Sequence, residues 1–230
     1  MLRKDGILFR IVGWGDYEDL KKFMLANLPK TSVICRALQF DAADYEAMYV
    51  PRIEVGISSG MSFVAIDEST GEIVGYHLMS LFWRDKTKNA PITAKRTQKA
   101  QLLADISETL RQKFWAISPP EVDLVVRGET SCVRTDYQRR GISETAFMLI
   151  KKETRKRGII GGISVSTGLS NQKLCEKIGF ISLAEVSYKE LFEANGIRFE
   201  GAFKDKTTKA VLQLDALPYE IREKYLKAKL

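Results

Sequence analysis

The residues from Gln138 to Ser143 carry the clearest chemical signal in the sequence, because a glycine and two arginines stand at the predicted start of a helix. The first amide hydrogens of a helix have no carbonyl partners, and the helix dipole is positive at that end. Such a turn is a favourable seat for a pyrophosphate group. Gly141 would let the backbone approach phosphate oxygens closely, and Arg139 and Arg140 would add positive charge. A solvated strand-to-helix turn is the alternative interpretation of the same residues.

The elements around this turn alternate between strands and helices. The pattern predicts a strand over 122–133 before the turn and a helix over 142–157 after it. Upstream it predicts a strand at 7–12, a helix from Asp16, helical residues 42–57 interrupted near Pro51, a hairpin over 62–81 and a helix over 95–117. Downstream it predicts a strand at 159–165, a helix at 170–177, strands at 180–191 and 207–214, and a last helix from Pro218. This order predicts a single α/β (α+β) domain over 1–230 around a mixed sheet.

Composition excludes several classes of protein. The chain has 230 residues, 45% hydrophobic and 28% charged, which is typical of a soluble globular protein. The net charge of +7 is dispersed among acidic residues, so no nucleic-acid partner is expected. The sequence shows no apolar run of the ~18 residues that a membrane span needs and no readable signal peptide, which predicts no membrane partner and a cytoplasmic location. Three scattered cysteines and the single histidine, His77, predict no metal site.

Two motifs resemble those of the GNAT superfamily of acyl-CoA transferases. The turn is similar to the superfamily's Gln/Arg-x-x-Gly-x-Gly/Ala signature, with Ser143 in place of the usual Gly or Ala. About thirty residues later, the segment from Ser170 to Phe180 resembles the second motif, which ends in Gly-Phe. The helical segment before the fourth strand, the stretch from Tyr188 to Leu191 and the strand over 207–214 look like those of the invertebrate arylalkylamine N-acetyltransferases.

This resemblance implies a single-domain GNAT fold with about seven strands, flanking helices and a V-shaped splay between the fourth and fifth strands. Acetyl-CoA, the co-substrate, would lie in the splay. The family's pattern implies that the backbone of Cys132 and Val133 pairs with pantetheine and that Asn171 lies near the thioester. It also implies a pyrophosphate site formed by the residues of the first motif: Gln138, Arg139, Arg140, Gly141, Ile142 and Ser143.

The catalytic residues are predicted from the chemistry of the reaction and from the resemblance. An amine must lose a proton to attack a thioester, so a base is required. Insect relatives carry a glutamate after the first long helix that residues 29–33 lack. The resemblance makes Glu129 the alternative candidate, because it stands on the fourth strand where vertebrate relatives carry a histidine, and it is expected to alternate with Ser131 and Val133 on one face. A solvated or ion-paired strand residue is the alternative interpretation, and His77 is a weaker candidate base. The amide of Val133 would stabilise the oxyanion. Cys175, which replaces the family's tyrosine acid, would be a weak proton donor or a buried core residue.

These features predict transfer of an acetyl group to a small primary amine, with an arylalkylamine as the first acceptor. Acetylation of a polyamine or a protein amine is one alternative, and it would require an acidic pocket or an open groove. A non-catalytic acyl-CoA-binding module is the other. The chain is expected to be a monomer or a weak homodimer. Aromatic residues that could stack on the acceptor are Phe40, Tyr76, Phe82, Trp83 and Tyr188.

Overall fold

The computed structural model of the chain describes residues 1–92, 95–216 and 218–228. Its strands form an eight-stranded sheet in the order β1-β2-β3-β4-β5-β6-β8-β7. The strands are β1 (Leu2–Lys4), β2 (Ile7–Ile11), β3 (Phe63–Asp67), β4 (Ile73–Trp83), β5 (Leu124–Val133), β6 (Gly161–Ser166), β7 (Ile181–Ser187) and β8 (Lys209–Ala216). The helices are α1 (Tyr17–Thr31), α2 (Val33–Ala37), α3 (Ala42–Tyr49), α4 (Pro51–Ser59), α5 (Gln98–Ile117), α6 (Ile142–Lys156), α7 (Leu169–Lys177), α8 (Tyr188–Ala194) and α9 (Tyr219–Ala228).

The sheet is mixed, which confirms the predicted α/β fold class. Neighbouring strands are antiparallel except for β5 and β6, which are parallel. The sheet has eight strands instead of about seven, because Leu2–Lys4 turns at Asp5 and Gly6 and pairs with β2. Three residues with one large apolar side chain are too few to show a strand pattern in the sequence. The splay predicted between the fourth and fifth strands therefore lies between β5 and β6.

The splay between β5 and β6 arises because the two strands pair over a short distance. Their register contains only the pairs Val126↔Gly162 and Arg127↔Ile163. β5 continues to Val133, and β4 accompanies it all the way to Gly75. The carboxyl end of β5 therefore keeps one neighbour and faces a gap on its other edge.

Helices cover both faces of the sheet. On one face, α1 packs on β4 and α5 packs on β7 and β8, and Leu20, Met24 and Leu110 of these helices belong to one buried cluster with Tyr76 and Leu78 of β4. On the other face, α6 packs through two clusters of buried apolar side chains, one around Ile142 and one around Ile150. In the described ranges, no helix has both the length and the apolar character to cross a bilayer.

One strand ends earlier than the sequence predicts, and one predicted helix break is confirmed. The strand predicted over 180–191 ends at Ser187, because the Ser187 side chain accepts a hydrogen bond from the Glu190 amide and caps α8. Serine followed three residues later by glutamate is a helix-start signal. The break predicted near Pro51 is confirmed, because α3 ends at Tyr49 and Pro51 is the first residue of α4, where its missing amide hydrogen is not needed. The short helix α2 has no counterpart in the prediction.

Candidate active site

A cavity of about 390 Å³ opens where β5 and β6 diverge. Gly128 to Val133 of β5 and Gly162 to Val165 of β6 line its two sides. One end reaches Gln138 and Ser143, in the turn before α6. The other end reaches the helices on the opposite face of the sheet, where Arg111 of α5 lines it. We call the first end the α6 arm and the second the α5 arm.

The turn before α6, residues 138–143, is exposed on its outer side. Arg139 and Gly141 have positive φ angles of 62° and 74°, which bend the chain sharply into the helix. Gly141 is the N-cap residue of α6 and supplies no side-chain acceptor for the first helical amides. A Cβ atom built on Gly141 would meet nothing within 4 Å. The amide hydrogens at the start of α6 therefore face open space.

Buried and charged contacts hold the turn in place. Ile142 is 4% exposed and packs in the core cluster below the turn. The Tyr137 hydroxyl donates a 2.5 Å hydrogen bond to Asp67. The guanidinium carbons of Arg134 and Arg140 lie 4.6 and 4.7 Å from the centre of the Tyr137 ring. This cation–π stacking holds Arg140 beside the open amides, while the charge of Arg134 is also paired with Glu72 and Asp136.

The strand register directs the main-chain groups of Val133 towards the gap. The Arg134 amide donates to the Val74 carbonyl at 2.9 Å, and Val133 is opposite Gly75. Bonded and non-bonded pairs alternate in an antiparallel ladder, so the Val133 and Ser131 groups point away from β4. By the same alternation the main-chain groups of Cys132 bond to β4. The Cys132 side chain lies on the face of the sheet that α1 covers, where its Sγ atom is 3.3 Å from Thr31 Oγ1.

The second motif closes the α6 arm of the cavity. Asn171 lines the cavity, and its Nδ2 atom donates a 2.9 Å hydrogen bond to Ser166 Oγ. The Phe180 ring lies edge-on to Phe147 of α6, with ring centres 5.7 Å apart. Cys175 of the same helix is fully buried and is not part of the cavity wall. Burial raises the pKa of its thiol to about 11, which makes it a weaker acid than a free thiol.

A β-bulge places Glu129 outside the regular ladder of β5. Leu78 of β4 is opposite Thr130, whereas Met79 is opposite Gly128, so Glu129 is an extra residue. Such a bulge redirects the side chains that follow or precede it. The expected alternation of Glu129 with Ser131 and Val133 is therefore wrong.

The bulge directs the Glu129 side chain towards α4 and α5. Ser80 Oγ and Arg127 Nε each donate a 2.6 Å hydrogen bond to Glu129 Oε1. Arg52 Nε lies 3.5 Å from Glu129 Oε2. Burial alone would raise the pKa of Glu129, but the charges of Arg127, Arg111 and Arg52 outweigh it and lower the pKa to about 2. Glu129 is therefore an ionised carboxylate and a weak proton acceptor.

Arg52, Arg111 and Arg127, which we call the arginine cluster, surround this one carboxylate. Arg52, Arg111 and Glu129 line the α5 arm. Burial, followed by repulsion from Arg127, lowers the pKa of Arg111 to about 10, which leaves it charged at neutral pH. The sequence analysis missed Arg52 and Arg111, because single basic residues on amphipathic helices usually lie on a solvated face. Nothing in their spacing connects them with Glu129.

His77 lines the cavity, whereas the aromatic residues predicted from the sequence do not. His77 is 3% exposed, and its ring is edge-on to Phe147 at 4.9 Å, on the α6 side of the sheet. Burial lowers its pKa to about 4, so the ring is neutral at pH 7. Tyr49 and Phe180 line the cavity together with Phe147. The aromatic residues named from the sequence are not part of its wall: Phe40, Tyr76, Phe82, Trp83 and Tyr188.

Solved structures match the chain closely in fold, whereas no family model and no curated protein sequence matches it. An Aedes aegypti protein described as insect arylalkylamine N-acetyltransferase 7 has a TM-score of 0.78 and 18% identity, over 92% of this chain and 88% of that one. Arylalkylamine N-acetyltransferase 2 of the same mosquito has a TM-score of 0.71 and 15% identity, over 93% and 100%. A polyamine N-acetyltransferase of Drosophila melanogaster has a TM-score of 0.65 and 16% identity, over 90% and 98%.

The chain has the GNAT fold. Similarity over nine-tenths of its length, together with the splayed parallel pair β5 and β6, confirms the fold that the two motifs imply. Two of the similar structures are arylalkylamine N-acetyltransferases of an insect, in agreement with the resemblance to that invertebrate group. The GNAT fold places the open turn and the Val133 groups along one cavity.

Proposed function

We propose that the chain transfers the acetyl group of acetyl-CoA to a small primary amine. The observation that carries this proposal is that one cavity joins the open turn at 138–143 to the outward-facing main-chain groups of Val133. The amides of the turn would bind the pyrophosphate, with Arg139 and Arg140 adding charge. The gap edge of β5 would pair with pantetheine, as an extended chain pairs with a strand edge. Asn171 would then lie beside the thioester.

The reaction follows from this placement. The ammonium group of the acceptor first loses a proton to water, and the lone pair of the neutral nitrogen attacks the thioester carbon. The carbonyl electrons move onto oxygen, where the Val133 amide donates a hydrogen bond to the oxyanion. The carbon–sulfur bond then breaks, and its electron pair leaves with the sulfur. The extra proton on nitrogen passes to water in the cavity. A thiol pKa of about 8.5 makes the thiolate a stable leaving group near neutral pH, so no strong acid is required.

Glu129 and Cys175 have surroundings that weigh against proton transfer. A carboxylate with its pKa near 2 accepts a proton poorly at neutral pH, because a base works best when its pKa is close to the working pH. Cys175 is buried behind the cavity wall with a raised pKa. Their roles as base and acid stay predictions, and the mechanism above does not require them.

An arylalkylamine is the first candidate acceptor. The resemblance of the sequence and the names of two similar structures support it, and Tyr49 offers an aromatic ring in the α5 arm. A polyamine is less well supported, because a polycation needs acidic groups, whereas Arg52 and Arg111 line this arm. The charge in the α5 arm therefore favours a small acceptor that is not a polycation.

Calorimetry with acetyl-CoA and a thiol-release assay over tyramine, tryptamine, serotonin and dopamine test the proposal. We expect micromolar binding of acetyl-CoA and release of free thiol with at least one primary amine. The N,N-dimethyl form of the same amine is the control, and it should give no stable product. Binding without turnover of any amine would instead support a non-catalytic acyl-CoA-binding module. Failure to bind acetyl-CoA would contradict both.

A further inference from the structure

The α5 arm carries more positive than negative charge. The arginine cluster supplies three guanidinium groups, and Glu129 supplies the single carboxylate in contact with them. Glu108 also attracts Arg111 electrostatically, but Glu108 is exposed to solvent. Arg96 adds a further positive charge near Arg52. Buried charge is costly unless it is paired. The cluster therefore lacks an anion.

The contacts show which arginines have donors to spare. Arg127 directs its guanidinium group at Glu129 and stacks over the Phe82 ring at 4.8 Å, and it does not line the cavity. Arg52 is 3% exposed, and its Nη1 atom donates to the Met48 carbonyl. Its Nε atom is buried, faces Glu129 at ion-pair distance and makes no hydrogen bond.

Of the three arginines in the cluster, Arg111 has the fewest partners among the described residues. Its Nε atom is buried without a hydrogen-bond acceptor. Among the described residues, none accepts a hydrogen bond from its guanidinium group or forms an ion pair with it at contact distance, while its side chain lines the cavity. A guanidinium group presents a planar fork of donors that matches the two oxygens of a carboxylate. Arg111, with Arg52 held in place by Glu129, forms an anion site inside the α5 arm.

We propose that the amine acceptor also carries a carboxylate group, which binds to Arg52 and Arg111. This inference rests on the proposed N-acetyl transfer and names its substrate class, an amino acid. Glu129 lies four residues before Val133 on β5, a distance of at most ~13 Å along a strand, and Arg52, Arg111 and Val133 line the same cavity. One small molecule can therefore place its carboxylate on the cluster and its nitrogen at the thioester.

The same charges favour the reactive form of the acceptor. A like charge nearby disfavours a protonated amine and lowers its pKa. An acceptor held beside Arg52 and Arg111 therefore loses its proton to water more readily than it does in solution. An arylalkylamine, which has no carboxylate, would meet the same repulsion with no compensating ion pair, so it should be acetylated with a higher KM than the amino acid that has the same side chain.

Matched pairs of acceptors test the inference on the unaltered protein. Tyrosine is compared with tyramine, tryptophan with tryptamine and arginine with agmatine, and tyrosine methyl ester controls for size. We expect kcat/KM for the favoured carboxylate-bearing compound to exceed that of its partner and of its ester by about 10-fold or more, chiefly through KM. A preference for the decarboxylated partners overturns the inference while leaving N-acetyl transfer intact. No acetylation of any compound contradicts the proposed function itself.

Replacement of Arg111 tests whether the arginine cluster causes the preference for carboxylate-bearing acceptors. R111Q should raise KM for the carboxylate-bearing acceptor by about 10-fold and leave KM for acetyl-CoA unchanged. K113Q, which removes a charge from an exposed position of the same helix, should change neither value. R111K retains the charge but loses the planar fork, so it should restore part of the affinity if R111Q is unstable. An effect of R111Q on acetyl-CoA binding alone would contradict the assignment.

Discussion

Glu129 decides the electrostatics of the α5 arm, because it is the carboxylate on which the arginine cluster converges. Its folded pKa of about 2 is below the ordinary value of 4.5, since the attraction of Arg127, Arg111 and Arg52 exceeds the effect of burial. A depressed carboxyl pKa stabilises the fold at pH values above the unfolded value, and this contribution is lost as the pH falls through the folded value. The relevant window here is pH 4.5 to 2.

We expect E129Q to be less stable than the wild type by about 3 kcal/mol at pH 7, because the shift of the Glu129 pKa corresponds to about that free energy. The difference should shrink as the pH falls from 4.5 towards 2, where the wild-type carboxylate also becomes neutral. Urea unfolding at pH 7, 4.5 and 3 measures it. E185Q, which removes a carboxylate from an exposed ion pair, should change little at any pH. A loss of the same size at pH 3 and pH 7 would show that the cluster does not hold Glu129 ionised.

The same variant separates two roles for Glu129. If Glu129 is the general base, E129Q lowers kcat with little change in KM for the amine. If Glu129 orients Arg52 and Arg111, as the contacts favour, E129Q mainly raises KM for a carboxylate-bearing acceptor. The split between kcat and KM therefore decides between proton transfer and positioning.

A structural feature could be predicted from the sequence when its residues are contiguous along the chain. The turn at 138–143 can be recognised because its glycine, its arginines and the start of α6 follow one another in the sequence. The arginine cluster cannot, because it joins side chains from α4, α5 and β5 that are far apart along the chain. The single extra residue at Glu129 has no sequence signal either, yet it moves that side chain to the other face of the sheet. Ser187 and Glu190 show the opposite case, a capping signal that was present in the sequence and that ends β7.

Helix α6 has a glycine at each end, and the two form a matched pair for testing phosphate binding. Gly141 is the N-cap residue of α6 and Gly158 follows its end, both have positive φ, and a Cβ atom on either meets nothing within 4 Å. G141V and G158V should therefore lose similar stability, roughly 1–2 kcal/mol from the left-handed backbone. We expect only G141V to weaken acetyl-CoA binding, by about 10-fold or more, because its side chain covers the open amides. Calorimetry on both variants measures this, and equal affinities would place the pyrophosphate elsewhere.

In the whole molecule, the joint between β5 and β6 is the weak point of the sheet. The strands β1 to β5 lie on one side of it and β6 to β8 on the other, and the two sets share only two register pairs. A ligand in the splay would pair with β5 and contact α7, the helix that follows β6. It would therefore link the strands β1 to β5 with the strands β6 to β8. Under the proposed function acetyl-CoA supplies that link, and its binding should alter the exchange of amides along the gap.

We expect the amides of Ser131 and Val133 to exchange quickly with solvent deuterium in the free protein, because they point away from β4 into the gap. With acetyl-CoA at about 100 times its Kd, their exchange should slow by about 100-fold, since only the small free fraction would remain open. The amides of β1, at the far edge of the sheet, exchange by local fraying and should change little. Hydrogen exchange followed by NMR resolves these positions. Saturating binding without slower exchange at Val133 would mean that coenzyme A does not pair with β5, and both the oxyanion role of Val133 and the placement of the acceptor beside it would then fail.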